Sequence, residues 1–188
     1  MSELELLKEE CSRCENCELC HTRTSVVYGV GNECASLMFV GEAPGENEDK
    51  TGIPFVGAAG QLFDKYLISV GIERSDVYIA NILKCRPPHN RDPLPEEEDA
   101  CMPHLRAQVK AIGPKIIVCL GRIAAAKLIS PDFKITRDHG KWYERGEYIM
   151  CAVYHPSALL RDESKRDDML YDMMDIKKKY DEVKKNEP

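Results

Sequence analysis

Leu37-Met38-Phe39-Val40-Gly41-Glu42-Ala43-Pro44-Gly45-Glu46-Asn47-Glu48-Asp49, followed shortly by Gly52-Ile53-Pro54-Phe55-Val56-Gly57, is the stretch around which this chain is organised. The apolar run 37–40 reads as a buried strand. A helical pattern follows from Ala58 to Leu67. The order is therefore strand, glycine-rich carboxylate loop, helix. In an open α/β sheet, the loop at the carboxyl end of a strand is where ligands bind. This loop carries three carboxylates, Glu42, Glu48 and Asp49, and one isolated aromatic, Phe55. Gly41 and Gly45 open backbone paths closed to other residues, and Pro44 and Pro54 stiffen the route. A merely solvated loop has no use for a phenylalanine set between proline and glycine.

Three more strands are read outward from this stretch. Val77–Leu83 is an apolar run interrupted by Asn81, Lys115–Gly121 has the character of a buried parallel strand, and Tyr148–Tyr154 is the last. Helices are expected over 2–10, 95–112 and 122–129, and from about Asp167. Residues 134–147 are irregular or a hairpin, Val26–Gly29 a short extended piece, and the lysine-rich tail frays. Strand and helix alternate, which implies an α/β fold: a three-layer α/β/α sandwich around a central four-stranded, mainly parallel sheet. One domain is expected over 1–188. Glu42, Asn81 and His155 fall in or just beyond strand ends, which places them on one rim of the sheet.

The chain has 188 residues, 43% of them hydrophobic, enough for a real core. It has no apolar run of membrane-spanning length, and its acidic N-terminus is no secretory signal; an intracellular monomer is expected. A net charge of −6 argues against blanket nucleic-acid affinity. Even so, Arg86, Arg91, Arg161, Lys165 and Arg166 are spaced as a patch. Nine cysteines in a reducing compartment point to metal rather than disulfides. Cys14-x2-Cys17 is one tight pair, and Cys85 with Cys101 a second. Four thiolates suit zinc or an iron–sulfur cluster alike. Cys11 and Cys20 compete as ligands on the same local grounds. Cys119 and Cys151, inside apolar strands, and the solitary Cys34 are expected to be unliganded.

Four separated motifs resemble the family 4 uracil-DNA glycosylases, iron–sulfur members of the uracil-DNA glycosylase superfamily. Gly41-Glu42-Ala43-Pro44-Gly45-x2-Glu48-Asp49 with Gly52-x-Pro54-Phe55-Val56-Gly57-x-Ala59-Gly60 is similar to the family's first motif, and His155-Pro156-Ser157-Ala158-Leu159-Leu160-Arg161 to its second. Cys14-x2-Cys17-x-Leu19-x3-Arg23-Thr24 and Lys84-Cys85-Arg86-Pro87-Pro88-x-Asn90-Arg91 are similar to its cluster-binding segments. The likeness runs from about Cys14 to Arg161. It implies a [4Fe–4S] cluster on Cys14, Cys17, Cys85 and Cys101 with a structural role, and uracil-containing DNA, single- or double-stranded, as substrate.

The implied reaction extracts uracil from the base stack and hydrolyses its glycosidic bond, leaving an abasic site. An enzyme acting on a base in a duplex must flip it out. Phe55 is expected to stack on the base, and Asn81 to read uracil O4 and N3–H with one amide. Gly41 and Ala43 belong to the same substrate pocket. His155 is expected to donate to uracil O2 as charge develops there. Glu42 and Glu48 are candidates for placing water or meeting the sugar cation. Better-known members of the superfamily carry an aspartate where this chain has Ala43, so a largely dissociative, monofunctional reaction is expected. Leu159 and Leu160 suit an apolar wedge, at least one of them filling the vacated stack. Ser157, Arg161, Arg86 and Arg91 are candidates for phosphate contacts. The alternatives are a non-catalytic metal-containing nucleic-acid-binding module, or a covalent uracil trap. The trap needs an inserted basic loop after His155, and none is evident. An iron–sulfur redox carrier would leave Glu42, Phe55 and His155 without purpose.

Overall fold

The computed structural model describes residues 2–186. Its centre is β2 (Leu37–Gly41), with all five residues buried. Beside it run β3 (Tyr78–Asn81) on one side and β4 (Ile116–Leu120) on the other, with β6 (Tyr148–Val153) beyond, all parallel. These are the four expected strands. Two short antiparallel strands, β1 (Val30–Gly31) and β5 (Tyr143–Arg145), extend the sheet to six in the order β1-β3-β2-β4-β6-β5. Both edge strands are two or three residues long, too short to carry a periodic signal.

The apolar runs are unbroken because the sheet is covered on both faces. Leu37 and Phe39 pack with α3 (Ala58–Ser69), α7 (Pro156–Arg161) and α8 (Arg166–Lys185); Phe63 and Met169 lie in that layer. Met38 and Val40 point the other way, into a layer built from α1 (Glu3–Ser12), α4 (Pro95–Ile112) and α5 (Arg122–Leu128). The stops are chemical. Ser2 and Glu5 form a capping box at the start of α1. Pro95 opens α4, and Gly113, at φ 65°, closes it.

Three local expectations change. The loop after β2 contains a short helix, α2 (Glu46–Thr51), whose Glu48 reaches back to the Gly45 N–H. Residues 134–147 hold a helical turn, α6 (Ile135–Asp138), before the β5–β6 hairpin. The charged tail does not fray within the described residues: α8 continues to Lys185, with Ile176 and Tyr180 buried on its inner face.

The connections decide where a ligand sits. From β2 the chain steps to β3, then crosses back over β2 to β4. The crevice beyond the carboxyl ends of these strands is the switch point of the sheet. Pairing continues past the strand ends there, since Ile82 N–H donates to Gly41 O and Leu83 N–H to Glu42 O, each at 3.0 Å. Among the described residues, no helix is long and apolar enough to cross a membrane.

Candidate active site

A cleft of about 670 Å³ opens at that rim, lined among others by Glu42, Ala43, Phe55, Asn81, His155 and Arg161. Gly41 lies behind two of these residues, Asn81 and Phe55. A β-carbon there would stand 2.4 Å from Asn81 Oδ1 and 2.7 Å from Phe55 Cζ. The glycine therefore provides space, letting the amide and the ring close over the end of β2. Phe55 is held at φ 54°, rare for a bulky residue. Its carbonyl lies so close to Gly60 that a β-carbon at 60 would be 2.0 Å away. The ring centroid is 5.7 Å from the His155 ring and 5.7 Å from Phe63.

Asn81 is 2% exposed, and its Oδ1 has no hydrogen-bond partner. A buried acceptor left unpaired costs about 1–3 kcal/mol, and this one is available to an incoming donor. His155 caps α7. The Ser157 N–H donates to its Nδ1 at 3.1 Å, and the Ser157 Oγ lies 2.7 Å from the same atom. An Nδ1 that accepts from an amide is unprotonated, so the imidazole carries its proton on Nε2. Burial, then the Arg161 charge, pushes His155 down to about 4. At neutral pH it is a neutral donor with a fixed tautomer.

The two glutamates part company. Glu48 Oε1 accepts from Val56 and Gly57 N–H at 2.8 Å each, and its Oε2 from Gly45 N–H at 3.2 Å. It ties the loop closed while still lining the cleft. Glu42 has no side-chain hydrogen bond among the described residues. Burial, and then Asp92, pushes it up to about 7. Asp49, buried, accepts from Thr24 N–H at 2.9 Å and fastens the loop to the N-terminal segment.

Several expected DNA contacts are placed differently. Leu159 is fully buried under α3, so it cannot be the wedge; its neighbour Leu160 is 46% exposed. The Ser157 hydroxyl is directed at His155 rather than free for phosphate. Arg91 makes a two-pronged pair with the buried Glu97, at 2.9 and 2.5 Å. Arg86 bonds Asn90 at 2.7 Å and stands 3.7 Å from Glu46. Arg161 is exposed at the cleft with no ion pair among the described residues. Local sequence missed the Asp92–Arg122 pair, 3.1 Å apart on the rim; the two lie thirty residues apart with no motif joining them.

Six cysteines, Cys11, Cys14, Cys17, Cys20, Cys85 and Cys101, line one small cavity behind the β3 end. All nine cysteines are free; Cys34, Cys119 and Cys151 lie outside this cavity. The donor set fits a sulfur-ligated iron cluster. Arg23 Nη1 donates to Cys85 Sγ at 3.4 Å, and Lys84 N–H to Cys101 Sγ at 3.2 Å, as thiolates require. Burial pushes Cys101 up to about 11 and Cys11 to about 12, so only a bound metal centre would ionise them at neutral pH. Among the described residues, no three His, Cys, Asp or Glu side chains are arranged to hold a single metal ion. A cluster spreads its thiolates over separate irons and needs no such convergence.

The sequence that builds this α/β sheet and its switch-point cleft is similar to that of known proteins. The profile of the Uracil DNA glycosylase superfamily matches residues 28–176. The type-4 uracil-DNA glycosylase of Archaeoglobus fulgidus is 50% identical over 168 residues, covering 85% of this chain and 84% of the relative. Those of Sulfurisphaera tokodaii and Thermotoga maritima are 47% and 46% identical, covering 88% and 86% of this chain and 80% and 85% of the relatives. The chain belongs to the uracil-DNA glycosylase superfamily, in its type-4 group.

Proposed function

We propose that this uracil-DNA glycosylase takes one extrahelical uracil into the cleft and breaks its glycosidic bond by stabilising the leaving base. The observation that carries the reading is the unpaired, buried Asn81 Oδ1. Uracil N3–H is a donor that satisfies it, while the amide N–H₂ reaches O4. Cytosine offers an acceptor at N3 and leaves the atom unpaired. Phe55 stacks on the base. The neutral His155 donates from Nε2 to O2, where negative charge grows as the bond lengthens. No lysine lines the cleft, which supports a monofunctional enzyme. The expected result with uracil-containing DNA is strand cleavage only after alkali. Cleavage without alkali would contradict the reading, and a stable protein–DNA adduct would favour the trap.

Glu42 is the group that orients water, because its carboxyl is unengaged while Glu48 is committed to the loop. The pH dependence follows. The carboxylate is the active form, so the single-turnover rate falls as pH drops below about 7. Glu42→Gln abolishes that limb and leaves a slow, flat profile. His155 does not contribute, since it stays neutral down to about 4. The sign for stability is opposite. Between 4.5 and about 7 the folded protein holds a proton that the unfolded chain has lost. Stability therefore rises as pH falls through this window, and Glu42→Gln melts higher than the parent at pH 8.

Leu160, exposed one residue before Arg161, is the wedge. Unstacking a base step costs a few kcal/mol in a duplex and little in a single strand. Leu160→Ala therefore lowers kcat/KM about tenfold on duplex substrate and leaves the single-stranded rate unchanged. An equal loss on both would assign Leu160 to the core of α7 instead.

Cys14, Cys17, Cys85 and Cys101 hold a [4Fe–4S] cluster in this reading. The cluster supplies cross-linking rather than electron transfer: it ties the segment after α1 to the β3 exit and to α4.

A further inference from the structure

Lys84 is a lysine 1% exposed, with no part in the chemistry described above. Lysine is almost never fully buried unless it is paired, so its partners define its purpose. Its Nζ donates to the Asn81 carbonyl at 2.8 Å and to Gln108 Oε1 at 2.5 Å. The ammonium also lies 5.7 Å from the Tyr28 ring centroid. Gln108, itself fully buried, is fixed by donating to Tyr28 O at 2.7 Å. At the backbone, the Lys84 N–H points at Cys101 Sγ, and its carbonyl accepts from Val27 N–H at 2.8 Å.

We infer that Lys84 is the positioning residue that aims Asn81 at the base and joins the base-reading pocket to the cysteine-lined cavity. The peptide leaving Asn81 is held at both of its polar groups. The Ile82 N–H sits on Gly41 O, and the Asn81 carbonyl sits on the Lys84 ammonium. With that plane fixed and Asn81 paired to Gly41 in the strand ladder, the backbone on both sides of the Asn81 Cα is held, and with it the direction of the Cα–Cβ bond. The amide then starts from a fixed stem at the cleft, and only its two side-chain torsions are left to settle against the base. The lysine is a near neighbour of two ligand positions: it precedes Cys85 and touches Cys101. Anchoring of the cysteine segment is thereby carried to the base-reading amide through one side chain.

The inference rests on Asn81 reading the base, and a double-mutant cycle separates the two claims. Lys84→Met, Asn81→Ala and the double variant are prepared as iron-loaded protein. Iron per chain and visible absorbance are checked first, and both are expected to match the parent. Lys84→Met should lower single-turnover kcat/KM on uracil-DNA about tenfold in the parent background, and less than about twofold in the Asn81→Ala background. The same fold-loss in both backgrounds, or no loss in either, overturns the inference. An Asn81→Ala protein with undiminished activity and base selectivity overturns the reading of Asn81 instead. Should Lys84→Met fail to retain iron, Gln108→Leu goes through the same cycle. It keeps the cation but removes one of its two acceptors, and a loss of about threefold confined to the Asn81 background is expected. A loss independent of Asn81 again overturns the inference.

Discussion

His155→Ala is expected to lower the single-turnover rate of uracil release by about 10²–10³, or roughly 3–4 kcal/mol of transition-state stabilisation, with little change in DNA affinity. The size follows from what the side chain does. A dissociative reaction places most of its developing charge on the departing base, and in the proposed reading the Nε2–H is the donor with a fixed tautomer that meets it. Ser157 holds Nδ1 from two atoms, so the ring needs no reorganisation when the charge appears. Because burial keeps the imidazole neutral down to about 4, protonation does not blur the comparison between pH 6 and 8. His155→Gln, which retains a donor at a different reach, should recover part of the loss. A rate within threefold of the parent for His155→Ala would remove the histidine from the chemistry and leave Glu42 to explain it.

Gly41→Ala is the second large effect, expected to cost about 10²-fold in kcat/KM while the protein still folds. The added methyl meets Asn81 Oδ1 at 2.4 Å and the Phe55 ring at 2.7 Å. Both neighbours are the ends of side chains, so the clash is relieved by moving Asn81 and Phe55, the two groups proposed to hold the base. Overpacking of this kind costs about 1–3 kcal/mol of stability, whereas a displacement of about 1 Å at a positioning group can cost 10²-fold in rate. Thermal melting alongside kinetics on the same preparation separates the two. Gly60→Ala should behave differently: there the methyl meets the Phe55 backbone at 2.0 Å, so folding suffers together with activity. If Gly41→Ala kept the parent rate, the positions of Asn81 and Phe55 would not matter to the chemistry.

The four central strands were legible because buried parallel strands carry continuous apolar runs, and α4 because proline and glycine mark its ends. The β5–β6 hairpin was legible only as one of two readings of 134–147, and β1 and α2 were not legible. Strands of two or three residues and a six-residue helix sit below the length at which periodicity speaks. Strand ends read from the sequence grouped Glu42, Asn81 and His155 on one rim, and the topology explains why: each ends or follows a parallel strand at the same end of the sheet. Glu42 and Glu48 could not be told apart from the sequence. Which carboxylate is spent on backbone N–H groups depends on how the loop folds back on Val56 and Gly57.

The sequence by itself determined an α/β sandwich, a loop with Phe55 at the mouth of the sheet, and a thiol-rich segment able to meet Cys85 and Cys101. It did so because strand length, glycine and proline placement and cysteine spacing are local properties. Only the tertiary structure decided that Leu159 lies inside and Leu160 outside, that Arg91 belongs to Glu97, and that Lys84 stands between Asn81 and Cys101. Those outcomes turn on the rotation of a six-residue helix and on partners drawn from distant segments. A buried charge takes whichever acceptors the packed chain brings to it, and that choice is made only when the layers close.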